Sequence, residues 1–259
     1  RSGSDVPPTT KGGRAAMMTP NQILVVMPTY REALTLETAV RELFVHNADV
    51  DLLIVDDNSP DGTGALAEAL ARDDQRISVL HREQKQGLGP AYLAGFAWGT
   101  SRGYEFLIEM DADGSHRAID LPRLIAAAPN ADLVIGSRWV PGGSVVNWPL
   151  HRRLISRIGN LYVNIMLGVG VKDMTAGFRV FRASFLNRLE LADVAAYGYS
   201  FQVEMAWRSI MAGGRVVEVP ITFVEREFGQ SKMTMGIVAE ALWLVTKWGL
   251  RRLTGRKRD

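Results

Sequence analysis

The sequence alternates short apolar runs with segments of helical spacing from Ile23 to Arg138, and this alternation constrains the fold more than any other feature. The apolar runs are ILVVMP, DLLIVDD, ISVLHR, YEFLIEMD and ADLVIGSR. The helical segments are EALTLETAVRELFVHN, PDGTGALAEALARDD, GPAYLAGFAWGTSRG and DLPRLIAAA. Fully apolar strands that alternate with helices form parallel sheets buried between two helical layers. The sequence therefore predicts an α/β fold with a mainly parallel sheet and helices on both faces.

Clusters of polar side chains follow several of these apolar runs. The clusters are Tyr30-Arg31-Glu32, Asp56-Asp57, Asp111-Asp113 and Ser137-Arg138. In open α/β sheets, ligands bind outside the carboxyl ends of the strands. We therefore expect these clusters to contribute to one site at one edge of the sheet.

The pattern changes after about Gly142. The segment HRRLISRIGNLYVNIML predicts an amphipathic helix. Its apolar face carries Leu154, Ile155, Ile158, Leu161, Tyr162 and Ile165, and its polar face carries Arg153, Ser156, Arg157, Asn160 and Asn164. A second helix, YSFQVEMAWRSIMAGG, precedes a strand pair or one long strand around Pro220. A polar loop, FGQSKMTMG, leads into a C-terminal helix with a narrow polar stripe.

Length and composition predict one large domain. The 259 residues suffice for a buried core, and 47% hydrophobic with 22% charged content is typical of globular proteins. We expect a disordered lead or linker over 1–20, one domain over 21–235, and an amphipathic basic helix with a tail over 236–259. The net charge of +2 argues against a nucleic-acid partner. The absence of cysteine excludes disulfides and thiolate sites, and no apolar run reaches the ~18–20 residues of a membrane span.

The motif Asp111-Ala112-Asp113 places two carboxylates on the same side of an extended chain. An isolated Asp-x-Asp is often a turn or a helix cap. Here a second acidic pair, Asp56-Asp57, ends another strand, and hard oxygen ligands on a short spacer suit Mg²⁺ or Mn²⁺. A cation between Asp113 and a diphosphate would relieve the repulsion between the aspartates.

Two other α/β classes fit the motifs less well. A phospho-receiver domain has its acidic pair after the first strand, and is about half this length. A dinucleotide oxidoreductase needs G-x-G-x-x-G after the first strand, whereas GLGPAYLAG follows the third strand with different spacing.

The motifs taken together resemble a known family. They are PTYREA, VDDNSPDGT, KQGLGPAYLAG, MDADGSH, GSRWVPGG, NWPLHRRLIS, DMTAGFRVF and FGQSK. In this order they resemble the inverting GT-A glycosyltransferases of family 2, and more closely the dolichol-phosphate (polyprenol-phosphate) mannose synthases. The resemblance runs from about Ile23 to Met235. It implies a GT-A (Rossmann-like) fold and inverting transfer of mannose from GDP-mannose to a polyprenyl monophosphate.

The resemblance also implies roles for individual residues. Pro28, Tyr30, Glu32 and Asp57 match positions that hold the nucleoside. Asp111, Ala112 and Asp113 match the metal and diphosphate motif, and Ser115 stands where relatives carry either a glutamine metal ligand or serine. Arg138 matches a residue near the donor sugar and phosphates. Arg152 and Ser156 match acceptor-phosphate contacts, and Arg226 and Lys232 lie in a loop thought to close over the site.

These residue types fit the implied chemistry. A phosphate-monoester oxygen is already anionic at neutral pH, so the attack needs no general base. The difficulty is to bring two anions together; arginines bind phosphate bidentately, and a metal neutralises the leaving diphosphate. The histidines then need no catalytic task, and His116 is interpreted as structural.

Two surface features have alternative interpretations. The segment RRLISR resembles an ordinary solvated helix face when it is considered alone. The C-terminal helix, with Trp243 and Trp248, either packs on the core or lies in an anionic membrane interface. A lipid acceptor favours the membrane surface, at its cytoplasmic face, with a membrane-anchoring protein partner or a fused domain as the anchor. A transferase that uses a UDP-sugar, such as UDP-glucose, on the same lipid is the alternative function.

Overall fold

Strands and helices alternate through the first half of the chain, as the apolar runs predict. The computed structural model describes residues 22–191, 194, 199–225 and 235–253. The strands are β1 (Ile23–Thr29), β2 (Asp51–Asp56), β3 (Ile77–His81), β4 (Phe106–Glu109), β5 (Leu133–Ser137), β6 (Ser144–Val146), β7 (Arg179–Arg182), β8 (Val216–Pro220) and β9 (Thr222–Val224). The α-helices are α1 (Leu36–His46), α2 (Thr63–Asp73), α3 (Leu88–Ser101), α4 (Leu121–Ala127), α5 (Leu150–Leu167), α6 (Ala183–Leu186), α7 (Tyr199–Met211) and α8 (Met235–Leu253).

A seven-stranded sheet has the order β3-β2-β1-β4-β7-β5-β8. Strand β7 runs antiparallel to β4 and β5, and the other neighbouring strands are parallel. Strands β6 and β9 form a separate parallel pair. The predicted mainly parallel sheet is confirmed, whereas β6 and the antiparallel β7 were not predicted. The segment around Pro220 forms two strands, which belong to different sheets.

The sheet separates two hydrophobic cores. Alternate residues of β1 face opposite sides: Leu24 and Val26 join one core, and Val25 and Met27 join the other. Helices α3, α5, α7 and α8 cover the first core, and α1, α2 and α4 cover the second. Helix α3 lies very close to the sheet, because a Cβ atom at Gly95 would approach Val26 within 2.3 Å. The predicted helices on both faces are thus confirmed.

Helix α5 is oriented opposite to the usual amphipathic helix, which turns its apolar stripe toward the core. Its apolar residues are 50–71% exposed: Leu150, Leu154, Ile155, Ile158, Leu161 and Ile165. The inner face is partly polar, and Asn160 is buried there beside Val163 and Leu167. The predicted apolar face is exposed except for Tyr162, which packs on the core. Of the predicted polar face, Asn160 is buried, Ser156 and Asn164 are half-buried, and Arg153 and Arg157 are exposed.

Helix α8 packs on the core and also exposes apolar side chains. Trp248 is buried and stacks on Trp207 of α7, with 5.2 Å between the ring centroids. Trp243 is 59% exposed. Of the two alternatives for this helix, packing on the core is correct for Trp248, and the exposed Trp243 leaves the membrane alternative open. None of the described helices combines the length and apolar character that crossing a bilayer requires.

Candidate functional site

The polar clusters lie at the carboxyl ends of strands, as the sequence predicts. In the parallel register, Thr29 at the end of β1 pairs with Asp56 at the end of β2, and Val26 of β1 pairs with Glu109 at the end of β4. Strand β5 is antiparallel to β7, as β4 is, so Ser137 ends β5 at the same edge. The candidate site therefore lies at the edge of the sheet where β1, β2, β4 and β5 end.

Asp57 is buried and holds an arginine that the sequence interpretation had not included. Arg82 Nη1 donates to Asp57 Oδ1 over 2.6 Å, and the backbone N–H of Gln86 donates to Asp57 Oδ2 over 3.3 Å. Arg82 Nη2 also donates to Gln86 Oε1 over 2.5 Å. Arg82 ends the run ISVLHR, so its place after a strand was the available signal. These hydrogen bonds hold the Asp57 carboxylate and the Arg82 guanidinium in fixed positions at the ends of β2 and β3.

Tyr30 and Glu32 lie in the turn between β1 and α1. The ammonium nitrogen of Lys85 lies 3.9 Å from the centre of the Tyr30 ring. The backbone N–H of Glu32 donates to Thr63 Oγ1 over 3.0 Å. Pro28 pairs with Val55 in the sheet, one residue before the strand ends. The turn after β1 and the segment after β3 thus bring an aromatic ring and an ammonium group together.

The aspartate motif is held by hydrogen bonds from three directions. Tyr92 of α3 donates its hydroxyl to Asp111 Oδ1 over 3.0 Å, and the backbone N–H of Asp111 donates to His116 Nδ1 over 3.0 Å. The backbone N–H of Ser115 donates to Asp113 Oδ1 over 3.0 Å. Burial, together with the negative charge of Asp111, raises the pKa of Tyr92 well above its ordinary value, so the phenol remains a donor. Ala112, between the aspartates, is buried.

The donor set fits a hard divalent cation. Asp111, Asp113 and Ser115 offer only oxygen atoms, which Mg²⁺ and Mn²⁺ prefer. Ser115 is 2% exposed, and its hydroxyl has no hydrogen-bond partner among the described residues. The described part of the chain contains no group of three or more His, Cys, Asp or Glu side chains that could hold a metal. A cation here would therefore take further ligands from water and from the diphosphate, as Mg²⁺ commonly does.

His116 is a structural support of this motif. It is 3% exposed, and its ring stacks on Phe178 with 5.0 Å between centroids and meets Phe223 edge-on at 5.7 Å. Because Nδ1 accepts the N–H of Asp111, the neutral ring carries its proton on Nε2. This arrangement agrees with the interpretation of His116 as structural.

Two fully buried ionisable side chains lie directly beneath the motif. Glu109 and Arg179 are opposite each other in the register of β4 and β7, and both are 0% exposed. Arg179 donates to the backbone carbonyls of Ala176, Gln202 and Met174 over 2.7–2.8 Å. Burial raises the pKa of Glu109 to about 8, although the positive charge of Arg179 opposes this. The sequence interpretation did not include this pair.

Arg138 is buried and bound to Asp173 of the DMTAGF motif. Its Nε donates to Asp173 Oδ2 over 2.7 Å, and its Nη2 donates to Asp173 Oδ1 over 2.6 Å. Nη2 also donates to Thr175 Oγ1 over 2.8 Å. The backbone N–H of Met174 donates a hydrogen bond to Asn160 Oδ1 of α5 over 2.8 Å. This network ties the end of β5 to the inner face of α5, and Asp173 is a further residue that the sequence interpretation did not assign.

Arg152, on the first turn of α5, forms an ion pair with Glu225. Its guanidinium carbon lies 4.2 Å from the centre of the Trp148 ring, and Arg138 lies 5.4 Å from the same ring. Ser156 is one turn further along the inner side of α5 and half-buried. The arginines of the strand edge and of α5 therefore share one aromatic neighbour.

A cleft of about 500 Å³ lies between α1 and the aspartate motif and extends to the residues at the end of β9. Asp111, Asp113, His116 and Glu225 line it, together with residues from α1 such as Glu42. The structure thus brings the predicted metal motif next to the partner of Arg152. Arg226 and Lys232, and the rest of the predicted loop over 226–234, lie outside the described residues.

The sequence matches a known family model over most of the described domain. The model for Glycosyl transferase family 2 matches residues 24–190. An undecaprenyl-phosphate mannosyltransferase from Micrococcus luteus is 53% identical over 229 residues, which are 88% of this chain and 94% of that protein. A polyprenol monophosphomannose synthase from Mycolicibacterium smegmatis is 50% identical over 252 residues, 95% of this chain and 94% of that protein.

Solved structures of low sequence identity share the fold. Glucosyl-3-phosphoglycerate synthase from Mycobacterium tuberculosis, solved with Mn²⁺, UDP and glucosyl-3-phosphoglycerate, gives a TM-score of 0.64 at 18% identity, over 92% of this chain and 81% of that one. A mannosyltransferase from Pyrobaculum calidifontis, in complex with GDP-Man and Mn²⁺, gives 0.58 at 16% identity, over 93% of this chain and 66% of that one. These similarities confirm the predicted GT-A type of fold.

Proposed function

Because the chain belongs to glycosyltransferase family 2, we propose that it transfers mannose from GDP-mannose to a polyprenyl monophosphate, with inversion at the anomeric carbon. The observation that carries this proposal is the cleft that Asp111 and Asp113 share with Glu225, which forms an ion pair with Arg152. An acidic motif for a metal–diphosphate thus lines the same cleft as the ion-pair partner of an arginine for a second phosphate. A transfer between two phosphorylated partners needs both kinds of group near each other.

The donor side is assembled from strand ends. Pro28, Tyr30, Glu32 and Asp57 would hold the nucleoside, with Asp57 fixed by Arg82. Asp111 and Asp113, with Ser115 beside them, would hold Mg²⁺ or Mn²⁺. When it is bound, the cation neutralises the charge that develops on the leaving diphosphate. Tyr92 and His116 keep the motif in place through the hydrogen bonds to Asp111.

The acceptor side is assembled from α5. Arg152 and Ser156 would bind the acceptor phosphate, and Arg138, oriented by Asp173, would face the donor phosphates. The attacking oxygen of a phosphate monoester is already an anion at neutral pH, so these residues orient and neutralise charge instead of removing a proton. Arg226 and Lys232 would add positive charge, on the evidence of the family motif alone.

The exposed apolar face of α5 supports a membrane surface as the place of the reaction. Isolated exposed apolar residues are ordinary, but a continuous stripe marks an interaction surface. Arg153 and Arg157 flank the stripe and are exposed, as suits anionic headgroups. The opposite side of the same helix carries Arg152 and Ser156. With α5 lying in the interface, these two residues would be held about one helix diameter (~10 Å) from the lipid, near the headgroup phosphates.

Helix α8 extends this surface. Leu242, Trp243 and Leu250 are 45–59% exposed, and the Lys247 ammonium lies 4.9 Å from the centre of the Trp243 ring. We place the reaction at the cytoplasmic face of the membrane, with a membrane protein or a fused domain as a further anchor. Both statements rest on the family resemblance.

A transfer assay with labelled sugar tests the function. The chain should transfer mannose from GDP-mannose to a polyprenyl phosphate in the presence of Mg²⁺ or Mn²⁺, and EDTA should abolish the transfer. Transfer of glucose from UDP-glucose, without mannose transfer, would instead establish the UDP-sugar alternative. Transfer that is unaffected by EDTA would contradict the role given to Asp111 and Asp113.

A further inference from the structure

The side chain of Trp148 lies beside two arginines of the candidate site. The guanidinium carbon of Arg152 is 4.2 Å from the centre of the Trp148 ring, and that of Arg138 is 5.4 Å from the same centre. Trp148 itself is 7% exposed. One buried ring therefore lies next to both the arginine that the proposed function assigns to the donor phosphates and the arginine that it assigns to the acceptor phosphate.

Neighbouring aromatic rings hold the Trp148 ring in place. Phe223 of β9 meets it edge-on, with 5.4 Å between the ring centroids, and Trp139, which follows β5, lies at 6.4 Å. Phe223 also meets His116 edge-on at 5.7 Å, and His116 accepts the backbone N–H of Asp111. A continuous set of packed rings thus connects the aspartate motif to the residue that precedes α5 by two positions.

The two arginines differ in how firmly the rest of the protein holds them. The backbone N–H, Nε and Nη2 of Arg138 all donate to Asp173, and Nη2 donates to Thr175 as well. Among the described residues, the Arg152 guanidinium makes one ion pair, with Glu225, and its side chain is 23% exposed. The position of Arg152 therefore depends more on the aromatic ring than the position of Arg138 does.

The place of Arg152 in α5 is unfavourable for a cation. Arg152 is the third residue of the helix, the first turn contains no acidic side chain, and Pro149 at the N-cap provides no side-chain hydrogen bond. The N-terminus of a helix carries a partial positive charge, which repels a cation. An aromatic face attracts a guanidinium group, and more strongly where both are partly removed from water. The Trp148 ring thus counteracts the repulsion that Arg152 experiences from its own helix.

We propose that Trp148 is a positioning residue for Arg152, whose guanidinium group its ring holds in a fixed place relative to Arg138. The inference rests on the proposed function, because it takes Arg152 to be the acceptor-phosphate contact. Without the ring, Arg152 would move away from the helix end and bind the acceptor phosphate less well. Arg138 would stay in place, because Asp173 holds it. Removal of the ring should therefore impair the use of the acceptor and not that of the donor.

Substitutions at Trp148 test the inference through the KM values of the two substrates. Trp148→Leu and Trp148→Met remove the ring and keep an apolar side chain. Initial rates of mannose transfer from GDP-mannose to geranyl phosphate, a soluble monoester, should give an acceptor KM that is raised about 5-fold or more. The KM for GDP-mannose should change less than about 2-fold. KM does not depend on the concentration of folded enzyme, so partial unfolding of a variant would lower only the apparent kcat.

Trp148→Phe is the conservative variant. It keeps an aromatic face, and the indole N–H that it removes has no hydrogen-bond partner among the described residues. Both KM values should stay within about 2-fold of those of the wild type, because a phenyl ring also attracts a guanidinium group. A Trp148→Phe variant with the same acceptor defect as Trp148→Leu would contradict a role for the aromatic face.

A double-mutant cycle separates positioning of Arg152 from a general structural role. In an Arg152→Gln background, Trp148→Leu should change the acceptor KM less than about 2-fold, because the ring acts through the arginine. A structural role would raise the acceptor KM by the same factor in both backgrounds. Trp207→Leu is the matched control: Trp207 is 8% exposed and stacks on Trp248 of α8. It should leave both KM values unchanged.

Four further outcomes overturn the inference and leave the proposed function standing. They are an unchanged acceptor KM in both Trp148→Leu and Trp148→Met, an equal rise of both KM values, the same rise in the Arg152→Gln background, and an equal acceptor defect in Trp207→Leu. A wild-type chain that transfers no mannose overturns the proposed function itself.

Discussion

Arg138 and Asp173 form a two-point, almost fully buried ion pair between the end of β5 and the DMTAGF motif. Two nitrogens of the guanidinium donate to the two carboxylate oxygens over 2.7 and 2.6 Å, and the Arg138 backbone N–H donates to Asp173 Oδ2 over 2.9 Å. Breaking a buried pair by changing one partner leaves an uncompensated charge. The site arginine and the fold near it therefore depend on the same carboxylate.

Asp173→Asn should lower the free energy of unfolding by about 3 kcal/mol, because Arg138 stays buried and charged without its counterion. Chemical denaturation at neutral pH measures the change. Asp74→Asn is the matched control: Asp74 also binds an arginine at two points, through Arg76, but the pair is about one third exposed. Asp74→Asn should lower the free energy of unfolding by less than about 1 kcal/mol. Equal losses in the two variants would contradict the special role of burial.

Asp113→Asn should reduce mannose transfer by more than about 100-fold, because an amide keeps the size of the side chain but not the charge that holds a divalent cation. Initial rates over a range of Mn²⁺ concentrations measure the effect, which should include a higher metal requirement. Asp49→Asn, on the exposed turn before β2, removes the same charge elsewhere and should leave the rates unchanged. Full activity in Asp113→Asn would contradict the role given to Asp113 in holding the cation.

Ile158→Asp should weaken binding to anionic vesicles by about 10-fold or more, because transfer of an isoleucine side chain out of water contributes about 1.5 kcal/mol or more. Ile158 is 64% exposed near the middle of the apolar face of α5, so the charge should not disturb folding. Sedimentation with vesicles measures the binding. Activity on a long-chain acceptor in vesicles should fall, and activity on a short water-soluble acceptor should not.

Val45→Asp is the control for the membrane experiment. Val45 is 68% exposed on α1, which covers the other side of the sheet from α5. The same charge there should leave vesicle binding unchanged. Loss of binding in both variants would indicate a general charge effect and would count against α5 as the membrane-facing element.

Glu109→Gln should remove part of the pH dependence of stability. Burial raises the pKa of Glu109 from 4.5 to about 8, so between these values the folded chain keeps a proton that the unfolded chain has released. Wild-type stability should therefore fall as the pH rises from about 5 to 8, by on the order of a few kcal/mol. Glutamine cannot ionise, so the variant should be more stable at pH 8. Denaturation in EDTA at pH 5 and pH 8 measures both slopes, and parallel slopes would contradict the raised pKa.

The sequence was sufficient for most of the first half of the fold. Apolar runs of strand length separated by helical spacing identify β1 to β5 and α1 to α4, because period and hydrophobicity are local properties. The turn chemistry after those strands identified the edge that carries Asp57 and Asp113. Strand β7 was missed because its four residues are too few to show a period, and nothing local fixes its antiparallel direction.

The orientation of α5 could not be obtained from its own residues. Amphipathic spacing defines an apolar and a polar face, but which face contacts the protein depends on what lies beside the helix. Here the Asn160 side chain is buried against the protein, where its Oδ1 accepts a hydrogen bond from the backbone N–H of Met174. The same limit applies to Trp248, which is buried because Trp207 happens to lie opposite it.

The sequence by itself determined the α/β class, the edge of the sheet that carries the site, and the chemical types of the site residues, because each of these depends on neighbours along the chain. Only the tertiary structure decided the partners of those residues. Arg138 binds a carboxylate 35 positions away, and Arg152 binds one 73 positions away. Such pairs form when the folded chain brings distant segments into one low-dielectric region, where charges must be matched. No local pattern records that matching.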